Sequence, residues 1–281
     1  MLVNNKFLKE QGTPLVLTVL TFLGLCGLLY IFIHILNLLP TGTKIIPTLR
    51  TRDVVFGLII YLKTSIDFAI FIGNLMRTNP GMKKRIAIEL GTAAGNAAGT
   101  ILILFIWNVF REVPLLMAVM IFVASLVLLR MSEESFEGLK GHYGPGHKFH
   151  KPINFIQNQL MFVNRIFKPV LGRLIPNLSI TNSRAMPFLS LVVFSITVPF
   201  ILGLDDFAGY IPLFSVINVF GFAVGVFLGH MILNLGLFVS PKTTTKIVEG
   251  RIMLAVGGVA FVGIAVWGFY EALKLVSAML H

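Results

Sequence analysis

The chain has 281 residues, of which 56% are hydrophobic and 12% are charged, and its formal net charge is +11. A soluble domain needs more charged surface than this, so the composition excludes an ordinary water-soluble fold. The basic residues lie in connections between apolar runs, which indicates membrane topology and gives no reason to expect nucleic-acid binding. The single cysteine, Cys26, excludes an internal disulfide.

Apolar runs long enough to cross a bilayer recur along the chain. A helix needs about 20 residues, at a rise of about 1.5 Å each, to cross the hydrocarbon core. The first run is too long for the apolar part of a signal peptide, so we expect a retained helix. The runs predict seven transmembrane helices, at 14–39, 54–76, 86–109, 114–130, 187–211, 215–239 and 252–275.

These spans divide the chain into four segments: an N-terminal helix and loop at 1–53, three-helix segments at 54–130 and 187–281, and a polar segment at 131–186. The polar segment opens with an acidic patch and continues as mixed apolar and basic residues from Ile153 to Leu174. This second part predicts an amphipathic helix on anionic lipid, with Arg165, Lys168 and Arg173 at the headgroups. A solvated linker with a surface helix is the alternative.

The distribution of lysine and arginine predicts the orientation. Of the 23 basic residues, 17 fall on the side of the N-terminus and the central segment, 5 fall on the other side, and Lys63 lies inside a span. The positive-inside rule therefore predicts a multi-pass protein of the plasma or inner membrane. Its N-terminus is expected in the cytoplasm and its C-terminus outside.

Two parts of the chain resemble each other. The segment 65–69, with Asp67, aligns with 204–208, with Asp206 at the matching position. Downstream in each copy three glycines are spaced at every fourth position, which predicts close helix packing: Gly91, Gly95 and Gly99 in one copy, and Gly221, Gly225 and Gly229 in the other. Because three spans form each copy, successive copies enter the membrane from opposite sides, as in the inverted repeats of many transporters. The predicted fold is therefore an all-α integral membrane protein with one N-terminal helix and two inverted three-helix repeats.

Carboxylates inside predicted spans are the candidate functional residues. A charge at mid-bilayer costs about 2.5–3.5 kcal/mol on insertion scales, so it needs partners or a wet cavity. Asp67 lies near the middle of its span, and Lys63 one turn earlier is either a structural partner or a neighbour on a polar pathway. Asp205 and Asp206 point to different faces, so only one of them can line a shared cavity. The repeat favours Asp206.

Other polar residues in or near the spans have more ordinary expected roles. We expect Glu89 to form an interfacial ion pair with Lys84 or Arg85, and His230 to form buried hydrogen bonds instead of binding metal. Individually, the uncharged oxygen donors predict helix-to-helix hydrogen bonds. Together with two carboxylates they resemble an oxygen-rich site for a hard divalent cation. These donors are Asn74, Asn96, Thr197, Asn218 and Asn234.

The pattern Ser65-Ile66-Asp67-x-Ala69-x-x-x-Gly73, with a glycine-spaced helix and a second aspartate helix after it, resembles the LysE superfamily. Its manganese-efflux, cadmium-resistance and TerC-like branches are the most similar, and the resemblance covers about 54–130 and 187–275. It implies that Asp67 and Asp206 bind a cation or a proton. Lys63, one turn before Asp67, is unexpected for a cation site, and the extra first helix and the long basic loop differ from the family's six-helix plan.

The sequence thus predicts a secondary transporter that exports a divalent metal cation such as Mn²⁺ or Cd²⁺ by alternating access, with exchange for protons as one coupling scheme. The candidate site residues are Asp67, Asp206, Asp205, Asn96, Asn74 and Lys63. Export of a small organic solute such as a basic amino acid, and a non-transporting role in membrane assembly, are the alternatives. No hydrolase or metalloprotease motif is present, so we expect neither an enzyme nor a cofactor. The oligomeric state stays open.

Overall fold

A computed structural model describes residues 5–143, 146–174, 186–208, 211–215 and 217–280. The side chains of some helical residues, including 66–67 and 202–208, lie outside this description. All regular structure among the described residues is helical. This is the expected state of a chain in lipid, because a helix satisfies its own backbone hydrogen bonds where no water can. The prediction of an all-α membrane protein is confirmed at this level.

The helices of the described chain are numbered in chain order, and a short 3₁₀ helix, Ile211–Ser215, follows the seventh. They are α1 (Asn5–Leu36), α2 (Thr51–Thr64), α3 (Ile66–Thr78), α4 (Met82–Phe110), α5 (Pro114–His142), α6 (His150–Leu174), α7 (Phe188–Ala208), α8 (Val219–Val239), α9 (Pro241–Val248) and α10 (Arg251–Leu280).

Five of the described helices are long and apolar enough to cross a membrane: α1 from Leu15 onward, α4, α5, α8 and α10. A sixth crossing results if α2 and α3 together form one bent span. The apolar part of α7, Phe188–Ile201, is shorter than these. The structure therefore supports several of the seven predicted spans directly, and all seven predicted positions coincide with helices.

The fourth span continues well beyond its predicted end near residue 130. Helix α5 runs to His142 and includes the acidic patch that we expected at the start of the polar segment. One face of this extension is buried through Ser132, Phe136 and Leu139, so packing explains why the helix persists into polar sequence. The polar segment between spans therefore begins after His142.

The chain folds into two compact units. Unit 1 contains Met1–Leu102, Ile180–Leu204 and Asn218–Val248. Unit 2 contains Ile103–Ser179, Asp205–Ile217 and Glu249–His281.

In unit 1, α8 packs closely on α2 through the three glycines spaced at every fourth position, Gly221, Gly225 and Gly229, which form its glycine stripe. A Cβ at Gly225 would fall on the carbonyl oxygen of Val54, and one at Gly229 would meet the ring of Tyr61. Glycine at these positions allows the two helix backbones to approach, as small residues commonly do between membrane helices.

The first glycine stripe makes a matching contact in the same unit. A Cβ at Gly95 of α4 would fall on the carbonyl oxygen of Ile196 in α7, and one at Gly91 would meet Ser195. The stripe of each sequence copy therefore packs against the first helix of the other copy. Gly91, Gly95, Gly225 and Gly229 therefore all lie where a neighbouring helix leaves no room for a Cβ.

Unit 2 is built on the pairing of α5 with α10. Ser132 donates a hydrogen bond to the carbonyl of Gly258 at 2.8 Å, and the Phe136 ring covers the same glycine. Small residues again allow the two helices to approach.

Helix α6 also belongs to unit 2 and contains the predicted amphipathic segment. Its polar side chains face α5: Asn164 donates to Glu133, and Asn154 accepts from Lys140 at 2.7 Å. Ile153 and Leu160 are buried, whereas other large apolar side chains, among them Phe155 and Phe162, are exposed. This arrangement suits a helix at a lipid surface. The side chains of Lys168 and Arg173 lie outside the described residues.

Candidate functional site

The second predicted span is broken near its middle. Helix α2 ends at Thr64, α3 begins at Ile66, and the axes of Thr51–Thr64 and Phe68–Thr78 meet at 64°. Ser65 lies at the break and is fully buried, and its hydroxyl has no hydrogen-bond partner among the described residues. The backbone N–H of Ser65 donates to the Tyr61 carbonyl at 2.9 Å and its carbonyl accepts from Ala69 at 2.8 Å, so the hydroxyl is the polar group of Ser65 that the break leaves open. Transporters use breaks in membrane helices to hold substrates and ions. The break is therefore the candidate site.

His230 of α8 lies against both halves of the broken span. Its Nδ1 is 2.7 Å from the Tyr61 hydroxyl on α2, and its ring centroid is 5.1 Å from that of Phe68 on α3. The imidazole is fully buried. The expectation that His230 serves buried hydrogen bonding is confirmed, and the side chain marks where α8 contacts the break.

The polar contacts continue from His230 along α8 to α4. The Asn234 amide nitrogen lies 3.0 Å from His230 Nε2 and donates to the Thr92 hydroxyl at 3.2 Å. If Nε2 accepts from this amide, a neutral imidazole carries its proton on Nδ1 and donates it to the Tyr61 oxygen. This assignment satisfies both ring nitrogens without placing a charge in the bundle.

Replacing Tyr61 by phenylalanine is expected to destabilise the protein, because it leaves one nitrogen of the buried His230 without its partner. Hydrogen bonds between membrane helices contribute about 0.5–2 kcal/mol, so the loss of unfolding free energy should lie in that range. Tyr30→Phe is the matched control, since Tyr30 is 47% exposed. Equal stability of the two variants in denaturant titrations would show that the Tyr61–His230 hydrogen bond does not contribute to the unfolding free energy.

Glu89 does not form the predicted interfacial ion pair. It is buried at 1% exposure on α4 and accepts a hydrogen bond from the Thr18 hydroxyl of α1 at 2.6 Å. Lys84 and Arg85 instead donate to the backbone carbonyls of Met186 and Phe238, each at 3.2 Å. Helix α4 begins at Met82, two turns before Glu89, so the carboxyl lies inside the bundle and away from the basic end of the helix.

The three predicted aspartates lie on helices, but their side chains are outside the described residues. Asp67 is in the first turn of α3, directly after the break, and Asp205 and Asp206 are near the end of α7. Lys63, one turn before Asp67, is 5% exposed. The roles predicted for these four residues stay predictions.

The two asparagines of the predicted site have different surroundings. Asn74 is half-buried on α3 and accepts from Arg77 of its own helix at 3.1 Å. Asn96 is buried on α4 at 4% exposure, and its amide nitrogen has no hydrogen-bond partner among the described residues. Asn96 therefore retains a polar atom for a ligand.

The remaining oxygen donors do not gather at one place. Asn218 caps α8, where its side chain accepts from the backbone of Phe220 and Gly221. Asn234 follows 16 residues later on the same helix, which is about 24 Å at the rise of an α-helix. Thr197 is exposed and bonds to its own helix. The expectation of a single site formed by all the donors is wrong, because two of them lie at opposite ends of one helix.

Sequence reasoning missed Tyr61 and Thr92, which complete the contacts around His230 and Asn234. Both are hydroxyl residues inside apolar spans, and this is the signal that would have pointed to them. Among the side chains that the structure describes, no group of three His, Cys, Asp or Glu residues is placed to hold a metal ion.

Protein-family models, curated proteins and solved structures give no significant match to this chain.

Proposed function

We propose that the protein is a secondary transporter that exports a divalent metal cation by alternating access, in exchange for protons. Asp67 and Asp206 bind the cation, as the resemblance to the LysE superfamily implies. The observation that carries the proposal is the break at Ser65. It interrupts a span two residues before Asp67, and a broken span is the structural element on which many transporters build a binding site.

The polar surroundings of the break support the same proposal. Lys63, Ser65 and His230 are all buried; Lys63 lies on α2, His230 lies on α8, and Ser65 lies between α2 and α3. Ionisable side chains within spans are costly and usually mark ion or substrate pathways.

The reciprocal glycine contacts of unit 1 support two repeats of three helices. Gly95 packs on Ile196 at the start of the second copy, and Gly225 packs on Val54 at the start of the first. Two related halves that pack symmetrically around one centre make reciprocal contacts of this kind. In this arrangement α1 is an addition outside the repeats.

The proposed setting is the plasma or inner membrane, with the N-terminus in the cytoplasm. This places the basic connections and α6 on the cytoplasmic side, where anionic lipids are available. The exposed Phe155 and Phe162 of α6 would enter the lipid interface while Arg165 meets the headgroups.

Export of a basic amino acid or a similar organic solute is the second candidate. Buried polar atoms without a hydrogen-bond partner among the described residues favour it, because amide and hydroxyl groups suit an organic solute as well as a metal. They belong to Ser65, Asn96, Ser195 and Asn234.

A tolerance assay separates the two candidates. Cells that express the protein are challenged with Mn²⁺, Cd²⁺ or a basic amino acid, and the cellular content of each is measured against cells that carry an empty vector. A lower content of a metal supports the leading proposal, and a lower content of the amino acid alone supports the second. Unchanged contents of all three would reject both.

A further inference from the structure

Glu89 is a buried carboxyl that forms no ion pair among the residues the structure describes. One of its oxygens accepts from Thr18, and the other, Oε2, has no hydrogen-bond partner among the described residues. The side chain is 1% exposed within a helix that is long and apolar enough to span a membrane. One neutral hydroxyl is a poor replacement for the hydration of a carboxylate, whereas a protonated carboxyl costs much less to bury.

The described groups around this part of α4 form no ion pair with Glu89. Thr18 faces it from α1, Asn234 contacts Thr92 from α8, and Ser195 packs on Gly91 from α7. On α4 itself, Lys84 and Arg85 donate to backbone carbonyls. Beyond Asn234 the titratable group is His230, whose two ring nitrogens are both hydrogen-bonded. The environment therefore favours the protonated form of Glu89.

Glu89 is also joined to the broken span by a row of polar groups. The Thr92 hydroxyl donates to the Glu89 carbonyl at 3.0 Å and accepts from Asn234, which contacts His230. His230 in turn contacts Tyr61, one turn before the break. Any movement of α2 against α8 during transport would change these contacts and, through Asn234 and Thr92, the surroundings of Glu89.

We propose that Glu89 binds the proton that the transporter exchanges for its cargo. The exchange step rests on the proposed function. The protonation of Glu89 does not, because it is argued from the residues that surround Glu89 in unit 1. In one state the carboxyl holds the proton, with Thr18 as its neighbour. Hydration of α4 in the opposite state releases it.

Labelling with dicyclohexylcarbodiimide, which modifies protonated carboxyls in apolar surroundings, tests the protonation directly in the full-length protein. Glu134 is the internal control because it lies on α5 with a side chain that is 56% exposed. An exposed glutamate keeps roughly one proton in 500 at pH 7, so peptide mass spectrometry should find more than about ten-fold greater labelling at Glu89. Equal labelling at the two residues would overturn the proposal.

Thr18→Val provides a second variant that leaves the carboxyl in place. Thr18 donates to a Glu89 oxygen, a contact that favours the charged form. Its loss should extend the labelling of Glu89 to higher pH. A shift of labelling to lower pH would contradict the assignment of Thr18 as a donor to an ionisable Glu89.

Liposomes with an imposed pH gradient test the exchange. Glu89→Gln should remove the acceleration of cation flux by the gradient, while cation-for-cation exchange, which needs no proton, continues. An unchanged acceleration in Glu89→Gln would overturn the proton-carrying role and leave the transporter proposal intact. If the wild type moves no cation, the proposed function and this role both fall, and the labelling result still reports whether Glu89 holds a proton.

Discussion

Asp67→Asn is expected to abolish cation export. Asparagine has nearly the same shape but lacks the charge, so it cannot neutralise a divalent ion inside the bilayer. Loss of a residue that merely orients a metal ligand typically costs about 10- to 100-fold in affinity or activity, and loss of a ligand should cost at least as much. The measurement is the rate of metal loss from preloaded cells, compared with the wild type at equal protein level.

The neighbouring pair Asp205 and Asp206 provides a matched contrast for the same assay. The two residues are adjacent in the sequence, so in a helix their side chains are expected on different faces. The repeat aligns Asp206 with Asp67, so Asp206→Asn should remove export and Asp205→Asn should retain most of it. Asp67→Glu keeps the charge and is expected to retain partial export. If Asp205→Asn is the inactive variant of the pair, the repeat alignment is wrong.

Gly225→Ala is expected to cause a large loss of stability. The new Cβ would fall on the backbone carbonyl of Val54, and neither helix backbone can move aside without disturbing the rest of the α2–α8 contact. Overpacking of this kind costs typically about 1–3 kcal/mol. The unfolding free energy in mixed micelles, titrated with a denaturing detergent, should therefore be lower by that amount than in a control glycine-to-alanine variant without the collision.

Gly24→Ala is the control for the stability prediction. Gly24 also lies in an apolar helix, but a Cβ there would meet nothing within 4 Å. Both substitutions gain about the same helix propensity, roughly 1 kcal/mol. The difference between their unfolding free energies therefore measures the cost of the Cβ collision at Gly225. A Gly225→Ala protein as stable as Gly24→Ala would show that α2 and α8 do not pack as closely as described.

The helices were predictable because the bilayer imposes a length on every span. The positions of all seven predicted spans coincide with helices, and α6 covers the segment predicted to be amphipathic. The break at Ser65 was not predictable, because the run from 54 to 76 contains no proline and its two glycines, Gly57 and Gly73, each lie eight residues from Ser65. The extension of α5 to His142 depends on burial of one face, which is a tertiary effect.

The sequence indicates which polar residues are candidates for the site, but it does not show which helices they contact. Asp67 and His230 stand out in an apolar sequence, and the glycine stripes indicate where helices approach. The sequence does not show which helix each glycine stripe contacts. The contacts of α4 with α7 and of α8 with α2 are therefore known only from the structure. Glu89 was misjudged because its nearest charges in sequence are basic, whereas its actual partner, Thr18, is 71 residues away.

Flux through purified protein in liposomes is the most direct test of the transporter account. Vesicles loaded with a Mn²⁺-sensitive dye and holding an acidic interior should take up external Mn²⁺ in the presence of the wild-type protein, with alkalinisation of the lumen as protons leave. Asp67→Asn vesicles should behave as protein-free vesicles. Wild-type vesicles that admit Mn²⁺ no faster than protein-free vesicles, from protein shown to be folded, would contradict the account.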